Sequence, residues 1–260
     1  MSTFDPGPPP AFGTLFAASP DYGAYRSHFW YDWGPIFYRG RLDGSARVLC
    51  IASDPGPTER VAGRTLVGVA GQRVQGFLAK LGLTRSYLCL NAFTYALFPS
   101  DSAAVPVVLA DPAITAWRNG LYDAAAAAGP LEAIIAFGAN AQLAVGLWTS
   151  KPSVAVTAVP HPSSHDTASL LAKWRAAIPE LRARVTPDPD GDPGLPNYGS
   201  SFLESDYARI PPGDLPFGLP AWFGDDHWGR TATPAHNNSV DRPTPDDRHT
   251  LRWIAPRGAP

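Results

Sequence analysis

With 260 residues, 45% of them hydrophobic, the chain is long enough for one large core, or for one domain with a substantial appendage. No run of about 18 apolar residues occurs, and Met1 to Pro10 has neither the basic region nor the apolar core of a signal peptide, so the expectation is a soluble, cytoplasmic monomer without membrane contact. Two cysteines, Cys50 and Cys89, exclude a disulfide framework and a four-cysteine metal or cluster site. The net charge of −2 is unevenly spread: residues 1–185 carry 15 Lys and Arg against 12 Asp and Glu, whereas residues 186–260 carry 6 against 11.

Residues 1–46 are rich in Pro, Gly and aromatics, including Phe29, Trp30, Tyr31, Trp33, Phe37 and Tyr38, and read as an irregular or short-helical lead-in packed on the domain. Val48 to Ala52 reads as a buried strand, Gly71 to Leu81 as a helix and Tyr87 to Phe93 as a second strand. A crossover helix over Asp111 to Ala128 ends at Gly129-Pro130 and leads into a third strand, Ala133 to Phe137. Ala139 to Leu147 is a short helix, Val154 to Val159 a fourth strand and Thr167 to Ala177 a closing helix. This alternation predicts a three-layer α/β/α domain over residues 47–185, built on a four-stranded parallel sheet. The acidic residues 186–260 are rich in Pro and Gly, yet they hold Phe202, Tyr207, Phe217, Trp222, Phe223, Trp228 and Trp253, and disordered tails are poor in large aromatics. An ordered, mostly irregular wrap over the domain is expected, with a partner-docking segment as the other reading.

In an open parallel sheet, ligands bind outside the carboxyl ends of the strands. The four strands end in Ser53-Asp54-Pro55-Gly56-Pro57, Leu90-Asn91-Ala92, Gly138-Ala139-Asn140 and Pro160-His161-Pro162-Ser163-Ser164. An acid, an amide and an imidazole thus converge on one rim. Each has an ordinary explanation alone, as turn or cap residues, but chance accounts poorly for all three at one end of one sheet. Arg60, Arg64, Arg73, Lys80 and Arg85 follow the first of these loops, either as a DNA-contacting cluster or as a solvated loop and helix face.

These segments resemble the uracil-DNA glycosylase superfamily, in the right order over residues 47–178. Ile51-Ala52-Ser53-Asp54-Pro55-Gly56-Pro57 resembles its first motif, and Gly63-Arg64-Thr65-Leu66-Val67-Gly68-Val69-Ala70-Gly71 the glycine-rich stretch of a branch that carries an iron–sulfur cluster. Leu88-Cys89-Leu90-Asn91-Ala92 is similar to the strand that delivers a uracil-reading Asn, and His161-Pro162-Ser163-Ser164 to the final His-Pro-Ser motif. With two cysteines the cluster cannot be present, and no cofactor is implied.

The resemblance implies base excision from DNA after the nucleotide is flipped out of the stack. Asp54 would stabilise the cationic sugar and hold the attacking water; His161, as a neutral donor, would bond the oxygen of the departing base. Asn91 would accept from uracil N3–H and donate to O4, the opposite of what cytosine presents. Ser53, Pro55, Gly56, Leu66 and Phe93 would complete the base pocket, and Ser163, Ser164, His165, Arg64 and Arg73 would contact DNA. Three departures stand out. Gly56 replaces a bulky Tyr that excludes the thymine methyl, Leu66 replaces a Phe that stacks on the base unless Phe93 or Tyr95 does so, and His165 takes the place of a wedge residue. The alternative function is a non-catalytic binder of damaged DNA with a partner-docking tail. A metal site on His161 and His165 lacks further ligands nearby, and the glycine run has neither dinucleotide nor phosphate-loop spacing.

Overall fold

The computed structural model describes residues 4–219, Phe223 and two short paired strands, Val240–Asp241 and Arg252–Trp253. Five strands, β1 (Tyr38–Gly40), β2 (Val48–Ala52), β3 (Tyr87–Asn91), β4 (Ala133–Phe137) and β5 (Ala155–Val159), form one sheet in the order β1-β3-β2-β4-β5. β2, β3, β4 and β5 are mutually parallel, as the alternation of strands and helices predicts. The fifth strand, β1, pairs antiparallel with β3 and lies within the lead-in that the sequence suggests is irregular. Its three residues are too few to show a period; only the partner strand makes them a strand. β2, β3 and β4 are buried at every position, which is why they read as continuous apolar runs.

Helices α1 (Pro10–Ala17), α2 (Pro57–Ala62), α3 (Val69–Lys80), α4 (Val105–Ala110), α5 (Pro112–Ala127), α6 (Ala139–Gly146) and α7 (Thr167–Arg182) complete the layers. One face of the sheet packs Val74, Phe77 and Leu78 of α3 and Leu170, Trp174 and Ile178 of α7 against Cys50, Ala52 and Cys89. The other packs Phe12 and Phe16 of α1, Leu121 and Tyr122 of α5 and Val145 of α6 against Leu49, Ile51 and Leu90. Cys50 and Cys89 are buried free thiols, side by side on β2 and β3.

Two helix ends differ from expectation for identifiable reasons. Asp111 caps α5 rather than joining it, its carboxylate accepting from the backbone N–H groups of Ala113 and Ile114. α7 runs past Ala177 to Arg182 through Pro179. The carbonyl that Pro179 cannot serve, that of Arg175, accepts instead from Asn197 Nδ2 at 2.9 Å.

Residues 186–219 lie on the domain through buried carboxylates. Asp214 pairs with Arg39 at 3.0 Å, both fully buried, and also with Arg41, while accepting from the Tyr87 hydroxyl at 2.7 Å. Asp206 pairs with Lys80 at 2.9 Å. Asp188 pairs with Arg47 and accepts from Ser86 and from the backbone N–H groups of Thr84 and Arg85. Burial opposes the charged form of Asp188, yet these hydrogen bonds prevail and hold its carboxyl at about 2. Three acids of the described part of this segment, Asp188, Asp206 and Asp214, therefore meet bases of the preceding domain. No helix among the described residues is long and apolar enough to cross a membrane.

Candidate active site

β2 and β4 each end in a loop that starts a helix, and β5 ends in Pro160-His161, so their terminal residues crowd one rim. There Ser53, Asp54, Gly138, Ala139, Asn140 and His161 line a cavity of about 230 Å³. A larger cleft adjoins it at Gly138, Ala139 and His161, and a further one meets that cleft at the loop after β5. One, about 810 Å³, runs from His161 through Ser163, Ser164 and His165 to Lys173; the other, about 300 Å³, has Ser163, Ser164 and His165 facing Val69, Ala70 and Arg73. The result is a groove in three compartments along the carboxyl edge of the sheet.

The carboxylate of Asp54 is half-buried and is held by the backbone N–H of Leu97, which donates to Oδ2 at 3.0 Å. Facing it, the His161 ring is fixed by its own loop: the Ser163 N–H donates to Nδ1 at 3.2 Å. With Nδ1 occupied as an acceptor, the neutral ring carries its proton on Nε2 and is a donor there. Burial pushes the His161 pKa below its ordinary value, only partly opposed by the Asp54 carboxylate. Gly138 makes the close approach possible, since a Cβ there would stand 2.8 Å from His161 Cβ, and its φ of +90° suits glycine.

Asn91 ends β3 opposite Ala52, two residues before Asp54. The residue is only 7% exposed, and neither Oδ1 nor Nδ2 has a hydrogen-bond partner among the described residues. Its backbone carbonyl, by contrast, accepts from the Tyr122 hydroxyl at 3.1 Å. Asn91 is not on the wall of the Asp54–His161 cavity, and neither is Leu66, which packs into the cluster that holds Ala52. Asn140, to which the sequence assigns no role, is on that wall, and its Nδ2 donates to Ser53 Oγ at 2.8 Å. Its only sequence signal is its place just after a strand.

Glu59 is also absent from the sequence reading. Its buried carboxylate accepts from the backbone N–H of Gly56 at 2.9 Å and from those of Val67 and Gly68 at 2.9 and 3.1 Å, tying the Asp54 loop to the glycine-rich stretch. Within that stretch Leu66 has a φ of +52°, uncommon for a residue with a side chain, and the Leu66 carbonyl is pressed against Gly71 where any Cβ would collide. Pro55 is buried and Gly56 starts α2; neither lines the cavity.

Several expected contacts go elsewhere. Phe93 is fully buried edge-on to Phe29 at 5.5 Å, and Tyr95 is stacked on Tyr31 at 4.8 Å, so neither ring offers a free face to a base. Arg64 pairs with Asp5 at 2.7 Å and lies over the Tyr38 ring, away from the groove. Arg73 reaches the groove but directs its donors to the Pro162 carbonyl and the Tyr207 hydroxyl. Lys80 is paired with Asp206 and Arg60 lies over Trp33. Four of the five basic side chains, those of Arg60, Arg64, Arg73 and Lys80, are thus engaged by a partner from a distant segment. Ser163, Ser164 and His165 do line the groove. The Ser163 and Ser164 backbone N–H groups are spent on His161, which leaves their hydroxyls for a ligand.

An α/β/α fold with a carboxylate and an imidazole across one cavity at the carboxyl ends of its parallel strands is an arrangement that can stabilise opposite charges on two parts of one ligand. The family model of the uracil DNA glycosylase superfamily matches residues 39–182, and the chain belongs to that superfamily. It is accordingly a protein of the DNA glycosylase type, a DNA-repair hydrolase whose substrate is DNA. Comparison with curated proteins gives no match.

Proposed function

We propose that this chain, acting as a monomer, excises uracil or a related deaminated base from DNA by hydrolysing its N-glycosidic bond, without forming a covalent enzyme–DNA link. The observation that carries this reading is the pair across the small cavity: Asp54 on one wall, and on the other a His161 ring kept neutral by burial with its Nδ1 already occupied. As the bond from the sugar to the base nitrogen breaks, positive charge grows on the sugar and negative charge on the base. The Asp54 carboxylate meets the first, and also accepts hydrogen bonding from the water that attacks the sugar carbon. The His161 Nε2–H meets the second at the base oxygen nearest the broken bond. The water proton leaves through Asp54 and the base departs as an anion, stabilised in place. Removing one such donor typically costs about 100- to 1,000-fold in rate.

Asn91 supplies the choice of base once the cavity opens as far as its amide, which does not line the cavity in the free protein. A buried amide with both ends unpartnered among the described residues fits the pairing edge of uracil, and cytosine would set donor against donor and acceptor against acceptor. Gly56 leaves no side chain to exclude a methyl group, a difference worth about 1–3 kcal/mol, so larger deaminated bases are within reach. Ser163, Ser164 and His165 are placed to contact the DNA backbone along the groove.

The test is release of free base from oligonucleotides bearing uracil, hypoxanthine, xanthine or a thymine mispair, read as strand cleavage after alkali. Asp54→Asn and His161→Ala should each reduce release far more than DNA binding. Retention of the oligonucleotides on a gel without release from any of them would refute the proposal and leave a damage-binding protein.

A further inference from the structure

Arg73, half-buried on α3, joins three parts of the molecule. Its Nη1 donates to the Pro162 carbonyl at 2.6 Å, within the loop that carries His161. Its Nε and Nη2 donate to the Tyr207 hydroxyl at 3.3 and 3.2 Å, and the guanidinium lies over the Phe202 ring at 4.4 Å. Phe202 stands edge-on to Trp174 at 6.1 Å, and Trp174 Nε1 donates to the Pro160 carbonyl at 3.0 Å. The carbonyls on both sides of His161 are therefore gripped from one aromatic cluster, which the extension supplies in part. The extension is itself anchored on α3: Ala208 N–H donates to the Gln72 carbonyl at 3.1 Å, Asp206 pairs with Lys80, and Gly76 leaves no room for a Cβ beneath the Asp206 carbonyl.

We infer that residues 198–207 are a brace for the His161 loop, with Arg73, Tyr207 and Phe202 as positioning residues that hold the imidazole against the cavity. The inference rests on the proposed role of His161 as a neutral donor to the departing base. An arginine suits the task because its planar fork can serve two acceptors in different directions at once while its face stacks on a ring; a lysine has a single point charge. The His161 tautomer depends on the same loop, through the Ser163 N–H on Nδ1, so a loop that shifts loses the ring's orientation and its assigned donor together.

The experiment uses the full chain with Tyr207→Phe and Arg73→Lys, each checked for an intact thermal transition. Nitrogen NMR of the His161 imidazole, assigned with His161→Gln, reads the ring in the free protein. Asp54 is the charge that faces it, and Asp166, His165 and Lys173 border the adjoining cleft. The wild type should hold the Nε2–H tautomer and titrate below the ordinary value of about 6.5; both variants should show mixed tautomers and a midpoint moved up towards that value. Base release should lose about tenfold in kcat with KM nearly unchanged, within the roughly hundredfold that a misplacement of about 1 Å can cost. An imidazole signal identical to wild type in both variants would overturn the brace whatever the release assay gives. Absence of base release from the wild type would overturn the functional reading alone, since the NMR measurement does not depend on it.

Discussion

Replacing Asn91 with Leu separates stability from function at one position. The two side chains are of similar size, and Asn91 is 7% exposed as a residue, with neither end of its buried amide bonded among the described residues. A buried polar group without a partner costs about 1–3 kcal/mol, and the amide has two such groups. Even at the low end of that range Asn91→Leu should stabilise the free protein by about 2 kcal/mol, a rise in Tm of roughly 4–8 °C for a domain of this size. Base release should fall by about 100-fold or more, because the donor and acceptor for the pairing edge are gone. Thermal melting of the ligand-free protein, with alkali-cleavage assays on uracil and cytosine oligonucleotides, measures both quantities. A lower Tm would mean that the amide serves the fold, and the claim that it is held open for a base would fail.

Other consequences are open to direct measurement. Because burial lowers the folded-state pKa of His161, the unfolded chain takes up that proton first as pH falls; stability should decline from about 6.5 down to the folded value and then level off, and urea melts of His161→Gln should lack this part of the slope. Over the same interval base release should persist, since the folded ring is still neutral. Glu59→Gln replaces an acceptor of three backbone N–H groups with an amide that must turn its own donor towards one of them, and should lower stability by about 1–3 kcal/mol in denaturant melts; an unchanged midpoint would contradict the assigned bonds. Gly138→Ala forces a methyl to 2.8 Å from His161 Cβ at a φ of +90°, and should cut kcat by about tenfold or more while DNA binding persists. Arg118 is 1% exposed, with Nη1 on the Leu109 carbonyl and Nε and Nη2 unbonded among the described residues; Thr115 Oγ1 also serves that carbonyl, so Arg118→Met should be neutral or stabilising by about 1–4 kcal/mol, and a loss of stability would refute this.

Legibility followed the range of the interactions. β2 and β4 match their sequence reading residue for residue because strands covered on both faces must be apolar throughout. β1, α2 and α4 have at most six residues each, too short for a period to show, and they take shape only against neighbours distant in the chain. Asp54 and His161 could be singled out because an acid, an amide and an imidazole follow separate parallel strands at the same end of one sheet, although each alone has an ordinary explanation. Asn140 and Glu59 could not: an amide that bonds Ser53 from another loop, and a carboxylate that ties two loops together, look like any helix residue until the loops meet.

The amino-acid sequence by itself determined the layered α/β plan, its four parallel strands and which side chains follow each strand at one end of the sheet, because these follow from local periodicity and from which residues end each strand. Only the tertiary structure decided where the charges and rings go. Arg64, Arg73 and Lys80 look free in a linear reading and are engaged by Asp5, Tyr207 and Asp206. Phe93 looks like a stacking ring and is core, while Asn91 keeps a buried amide with no partner among the described residues. A side chain's partner depends on which segments fold against it, and no spacing along the chain records that.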